Sequence, residues 1–300
     1  MKTKLLSTAL LALFPLLINA QSYNSIFKSA DWLKGHLEDD NLVILHVDTE
    51  ENYQSGHILG AQFIKMSEFT TTTIDSIYRE IPPINYLDSL FRARGISDKS
   101  TVVLYYGGDL FASAFRLYFT FDYLGLADNV FILDGGLKTW TNAGLAVSTE
   151  EVAVSKANEG TLTINPNTTL VASKEQVQSF VGSEVVKIID ARRDAFYSGE
   201  KDGDGHYKRP GHIASAKNIT WLNIVDENQK LKSAGELQEY FFSEGINKDD
   251  KVITYCHVGL RATVLYTISK SLGYDTKMYD GSFNEWDRLD ESYPVDKTFK

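Results

Sequence analysis

The sequence predicts an α/β fold laid out twice in tandem, each copy a small parallel sheet flanked by helices. Three observations carry that reading. The chain matches itself, in order, at a shift of about 150 residues, which is far longer than the ~20–50-residue period of a solenoid. Within each copy, short β-branched runs alternate with amphipathic stretches, the pattern of βαβ units. At 300 residues, with 43% hydrophobic and 23% charged positions, the chain has the length and apolar content for two cores.

Taken from the start, residues 1–20 read as an export signal. Lys2 and Lys4 precede the apolar run Leu5–Ile18, and Asn19-Ala20 offers a small residue before the polar Gln21. That run is short of the ~20 residues a membrane span needs, so an exported, periplasmic or secreted protein is expected, free of the membrane once the signal is removed. The first copy is expected over residues 21–145, a linker over 146–166, and the second copy over 167–300.

Three matched segments define the duplication. Gly56-His57-Ile58-Leu59-Gly60-Ala61 corresponds to Gly211-His212-Ile213-Ala214-Ser215-Ala216, and Thr101–Tyr105 to Lys251–Tyr255. Leu133-Asp134-Gly135-Gly136 with Trp140 corresponds to Tyr279-Asp280-Gly281-Ser282 with Trp286. In the second copy, Val185–Ile189 and Val252–Tyr255 read as buried strands, and Ala234–Phe242 and Ala262–Leu272 as amphipathic helices. The Ser-, Thr- and Gly-containing stretch Ala146–Pro166 lacks such a period and reads as the linker.

Chemistry concentrates at one loop. The chain has a single cysteine, Cys256, so it has no disulfide partner within the chain, and an exported protein normally uses cysteines in pairs. It stands where the strand ending at Tyr255 meets the helix beginning near Ala262, at the carboxyl end of a parallel strand, where open α/β sheets place their sites. The loop Cys256-His257-Val258-Gly259-Leu260-Arg261 has a glycine free to take positive φ. It is expected to aim backbone N–H groups at the sulfur, with the helix N-terminus, Arg261 and His257 further favouring a thiolate. Such a thiolate can take sulfur from a donor as a persulfide and pass it on, a two-step, ping-pong displacement.

The duplicated layout, the Cys-x-x-Gly-x-Arg-Ala loop and the Asp-Gly…Trp segment resemble a two-domain rhodanese, that is, the thiosulfate and 3-mercaptopyruvate sulfurtransferase family. The resemblance spans about Trp32 to Trp286 and implies two tandem rhodanese-like domains, of which only the second is active. It implies Cys256 as the catalytic residue, with thiosulfate as donor and cyanide or a thiol as acceptor. His257, Val258, Gly259, Leu260 and Arg261 would surround the substrate. The first copy has Tyr106 at the cysteine position, and a phenol with a pKa near ~10 is a poor sulfur nucleophile, so a scaffold role is expected there. Family members usually carry a substrate arginine before an aromatic-Gly pair. Here that position is Phe196, which leaves Arg192 and Arg193, after the strand Lys187–Asp190, as candidate donor-binding cations. Asp190 resembles the family's acidic residue at the strand end and is expected to support the loop by pairing with Arg192 or Arg261. Cysteine phosphatases place one more residue between Cys and Arg, so a phosphoryl substrate fits poorly. Mercaptopyruvate enzymes tend to read Cys-Gly-x-Gly-Val-Thr, which this loop also fits poorly. A non-catalytic persulfide carrier is the remaining alternative.

The other polar clusters are read as structural. His57 and His212 occupy matched positions although only one copy has the nucleophile. Lys201-Asp202-Gly203-Asp204-Gly205 has a hint of calcium-loop spacing but no closing Glu, and the scattered histidines lack zinc spacing, so no metal and no cofactor are expected. A net charge of −10 argues against nucleic acid or an anionic membrane surface as partner. A monomer acting on small molecules is the expectation.

Overall fold

The computed structural model describes residues 25–152, 161–227 and 229–298. The signal expected over residues 1–20 and residues 153–160 of the expected linker lie outside the described residues. No helix among those described is long and apolar enough to cross a membrane.

The fold is α/β, with two parallel sheets flanked by helices. In the first half, strands β1 (Phe27–Lys28), β2 (Leu42–Val47), β3 (Ala61–Ile64), β6 (Thr101–Tyr106) and β7 (Val130–Leu133) form one sheet in the order β1-β7-β6-β2-β3. Every neighbouring pair in it is parallel. Between β3 and β6 the chain makes a short antiparallel hairpin, β4 (Thr71–Thr72) and β5 (Tyr78–Glu80), with a register shift at Thr71/Thr72. In the second half, β8 (Val186–Asp190), β10 (Lys217–Asn218), β11 (Lys251–Tyr255) and β12 (Thr276–Met278) form a parallel sheet in the order β10-β8-β11-β12. A parallel bridge from Val171 to Met278 extends it past β12. The antiparallel pair β9 (His212–Ile213) and β13 (Val295–Asp296) stands apart from it.

The helices expected at Ala234–Phe242 and Ala262–Leu272 run over Ala234–Ser243 and Ala262–Ser271. The first is started by a capping box in which Ser233 and Glu236 satisfy each other's amides. The second is buried along nearly its whole length, as is the helix Phe111–Tyr123 of the first half. Neither is strongly amphipathic because the two helices pack on each other as well as on their own sheets. Phe119 meets Tyr266 edge-on at 4.8 Å, and the Tyr266 hydroxyl donates to Asp122 at 2.7 Å. Phe115, Leu117, Val264, Leu265 and Ile268 therefore belong to one shared core across the two halves. Beside it, Arg116 and Asp280 form a buried two-point ion pair between the halves. Breaking such a pair by removing one partner costs about 3–5 kcal/mol, so it fixes how the halves face each other.

Candidate functional site

Strand β11 ends immediately before Cys256, and its register with β8 sets Tyr255 opposite Asp190. The Tyr255 hydroxyl donates to Asp190 Oδ2 at 2.7 Å and accepts the amide of Ile213 at 3.1 Å, which pins the strand end. Past it, the loop is tied from outside. Its carbonyls at Cys256 and His257 accept the amides of Phe283 and Asn284 at 3.0 and 2.9 Å. Gly259 turns the loop at φ +76°, and a Cβ there would stand 2.7 Å from Asp280 Oδ1, so glycine is required for conformation and for space.

Beneath the loop sits Ser282, a fully buried non-glycine residue held at φ 52°. Its hydroxyl accepts the amides of Cys256 at 3.2 Å and Gly259 at 3.0 Å and donates to the carbonyl of Tyr279 at 2.9 Å. This corrects part of the expected N–H cradle: two of the loop's amides are committed to Ser282 rather than to the sulfur. A left-handed conformation costs a side chain about 1–2 kcal/mol, and two orphaned buried amides would cost about 1–3 kcal/mol each, so the strain is outweighed.

Cys256 is a free thiol, buried at the base of the loop. His257, Val258, Leu260 and Arg261 are partly exposed around it, and Gly259 is buried. The His257 ring lies in an aromatic slot, edge-on to Phe196 at 4.6 Å, with its Nδ1 2.5 Å from the Tyr207 hydroxyl. Burial, then the nearby Arg192, pushes its pKa down to about 3, so the imidazole is neutral at physiological pH. His257 therefore does not supply the positive charge expected of it. Tyr207, whose own pKa burial raises, is a neutral phenol that shares a hydrogen bond with Nδ1.

The arginines also differ from expectation. Arg192 is fully buried and turned back on Asp190, with Nε 3.0 Å from both carboxylate oxygens and Nη2 at 2.6 Å from Oδ2, while Nη2 also donates to the Gly211 carbonyl at 2.6 Å. Its guanidinium stacks over Phe283 at 4.0 Å. Those partners and that burial remove it from donor binding and make it, with Asp190, the brace of the strand end. Arg193 is exposed at the start of the short helix Asp194–Tyr197 and does not line the cleft before the loop. Arg261 does line it, its guanidinium 5.7 Å over the Trp221 ring.

The cleft, about 690 Å³, is closed on its other side by the first half. Ser67, Thr70, Thr71, Thr72, Tyr78 and Arg79, on and beside the β4–β5 hairpin, face His257, Val258 and Arg261 across it. Arg79 is partly buried and close enough to interact electrostatically with Cys256, Arg261 and Arg116. The first half thus contributes a cation to the wall of the cleft that faces the loop. The next residue, Glu80, is largely buried, and that burial, followed by the charge of Asp280, pushes its pKa up to about 8. A weak signal for Arg79 exists in the sequence, a lone cation shortly after the run Thr70-Thr71-Thr72-Thr73, but nothing local connects it with a loop far along the chain. His57 and His212 both face inward as packing residues, stacked on Tyr53 and Tyr197 at 3.9 and 3.7 Å.

Comparison with known proteins agrees with this layout. A Rhodanese-like domain model matches the chain twice, over residues 29–143 and 173–289. Among curated relatives, a Mycobacterium leprae protein named "Putative thiosulfate sulfurtransferase" is 30% identical over 274 residues, covering 89% of this chain and 96% of that one. A Thermus thermophilus protein named "Sulfur carrier protein TtuD" is 30% identical over 286 residues, covering 89% and 95%. Among solved structures, the anaerobic ergothioneine biosynthesis enzyme from Chlorobium limicola superposes with a TM-score of 0.81 at 22% identity, over 94% of this chain and 72% of that one. The crystal structure of YnjE gives a TM-score of 0.82 at 21% identity, over 94% and 70%, and these two likenesses bear on the fold alone.

Proposed function

This chain belongs to the rhodanese-like family, and on that premise we propose that it is a thiosulfate sulfurtransferase working through a persulfide on Cys256. The Cys256 thiolate attacks the outer sulfur of thiosulfate, forming a new S–S bond while the old S–S bond breaks and its electron pair leaves on sulfite. Cyanide or a thiolate then attacks the outer persulfide sulfur, giving thiocyanate or a new persulfide and returning the Cys256 thiolate. Charge balances in each step, and no external oxidant or reductant is consumed. The reading rests on one observation above all: the chain's single cysteine lies at the base of a strand–helix loop closed by Arg261, opening onto a cleft with cations on both walls.

Arg261 is the loop's own charge for the anionic donor. The neutral His257, held by Tyr207, shapes the wall instead of acting as a charged partner. The carrier alternative has support from the name of the Thermus relative. The two readings separate by turnover, since a carrier loads sulfur once and stops without its partner. Residues 1–20 further suggest that the enzyme works after export.

The test is thiocyanate formation from thiosulfate and from 3-mercaptopyruvate, measured side by side, with Cys256→Ser as the blank. Multiple turnovers from thiosulfate, exceeding those from mercaptopyruvate, support the proposal. A preference for mercaptopyruvate, or a single turnover with either donor, would overturn it.

A further inference from the structure

Once Arg192 is committed to Asp190 and Phe196 fills the place where the family resemblance puts a substrate arginine, the cation that the catalytic half offers to the cleft, among the described residues, is Arg261. A dianionic donor approaching a protein of net charge −10 needs more than that. The first half supplies it. Arg79 lines the cleft opposite Arg261, and the hairpin that carries it is anchored to the second half on both sides. Beyond Arg79, the Ile81 amide donates to Asp280 Oδ2 at 3.3 Å, and the same carboxylate is gripped by Arg116. At the hairpin tip, Arg288 donates to the Asp75 carbonyl at 2.8 Å.

The backbone at Arg79 is itself unusual, with φ 63°. Its counterpart in the duplication, about 150 residues on, is Gln229, also at φ 63°. The strained position thus belongs to the repeated framework, and the charge is particular to the copy that faces the cysteine. Among the described residues, neither Arg79 nor Arg261 has a carboxylate within ion-pair distance. Two guanidiniums that line the same cleft from opposite walls, next to the loop that carries the nucleophile, have the arrangement of an anion clamp.

We propose that Arg79 is a donor-binding residue, reaching from the catalytically silent half to hold the anionic end of the sulfur donor against Arg261, so that the active site is built from both copies. This rests on the sulfurtransferase reading for the identity of the donor, but not for the clamp itself, which is a statement about anions near Cys256.

Two measurements on the full chain test it. The first compares alkylation of Cys256 by iodoacetate, an anion, with alkylation by neutral iodoacetamide. Loss of a cation at the thiol should lower the ratio of the two rates in Arg79→Gln by at least about threefold, whereas any general change in thiol reactivity cancels in the ratio. The second is thiosulfate turnover, where Arg79→Gln should lower kcat/KM by about tenfold or more, chiefly through KM. Arg79→Lys should recover part of both. Glutamine already occupies the matching left-handed position at 229, so the variant keeps the hairpin. An unchanged alkylation ratio in Arg79→Gln overturns the proposal whatever the donor. A lowered ratio in an enzyme that never accepts sulfur from thiosulfate would retain the clamp and overturn only the choice of donor.

Discussion

In the first copy the Tyr105 hydroxyl accepts the amide of Ile58 at 3.0 Å, and in the second the Tyr255 hydroxyl accepts that of Ile213 at 3.1 Å. Trp140 and Trp286 each donate their indole N–H to a carbonyl downstream, at Ala146 and Pro294. The copies also grip each other reciprocally. The Ile81 amide from the first reaches Asp280 of the second, and the Leu231 amide from the second reaches Asp134 of the first at 2.9 Å. Against that repeated frame the differences are few and local. Tyr106 stands where Cys256 does, its hydroxyl donating to the Gln229 carbonyl at 3.1 Å, and burial holds its phenol well above the usual pKa. Gly136, at φ 56°, stands where Ser282 is strained at φ 52°. His46 stands where Asp190 does and Asp48 where Arg192 does, so the buried pair is reversed: Asp48 lies 3.2 Å from the His46 ring and accepts from Asn52 at 2.7 Å, whereas Asp190 holds a guanidinium. The duplication thus preserves packing and the docking of the halves, while the copies differ at the loop and in what the opposite hairpin presents to it.

Among the positions where the copies differ, the largest expected effect is at Ser282. Ser282→Gly gives the second copy the first copy's residue and removes the strain, but orphans the amides of Cys256 and Gly259. Those amides cost more than the strain, at about 1–3 kcal/mol each, so thiosulfate turnover should fall about tenfold or more, and Tm should fall with it. The reverse change, Gly136→Ser, should destabilise without any gain, because a Cβ there meets the Tyr106 carbonyl at 2.5 Å. A Ser282→Gly enzyme with wild-type kcat would show that the buried hydroxyl does not shape the loop.

A smaller effect separates the two docking contacts by pH. Glu80 stands beside the Ile81–Asp280 contact with its pKa raised to about 8 by burial and by Asp280, against about 4.3 when exposed. The unfolded chain releases this proton first, so folding is penalised progressively as pH rises from about 4.3 through about 8 and levels off above. Glu80→Gln removes that penalty. Its Tm relative to wild type should therefore rise between pH 5 and pH 8.5, a difference that thermal melts read directly, and a constant offset would place the Glu80 carboxyl in water. The smallest effect belongs to Tyr106→Phe, which loses one hydroxyl bond to Gln229, worth about 0.5–1.5 kcal/mol of stability. Turnover should be within about twofold of wild type, and a large loss would assign chemistry to the silent loop.

Much of this was legible in the sequence where the signal is local or repeated. The β-branched run Lys251–Tyr255, the glycine at 259 and the lone cysteine between a strand and a helix describe the nucleophile's loop without reference to anything distant. The duplication was legible because both copies keep the Gly-His and Asp-Gly turns. What depends on folding was not. Arg192 looks like a cleft cation along the chain, yet the turn after β8 folds its guanidinium back onto Asp190, two residues away. His257 reads as a charged neighbour until Phe196 and Tyr207 are seen to bury it. Arg79 sits in a short, irregular hairpin with no periodicity to mark it, and it acquires meaning only when the halves dock.

The proposed function requires that the second copy alone carry sulfur, on Cys256. Intact-mass measurement of the whole chain after incubation with thiosulfate, and again after addition of cyanide, tests it most directly. The expected result is the mass of one added sulfur atom on the wild type, lost on adding cyanide with release of thiocyanate, and no addition to a folded Cys256→Ser variant. An unmodified wild type, or sulfur carried by Cys256→Ser, would contradict it.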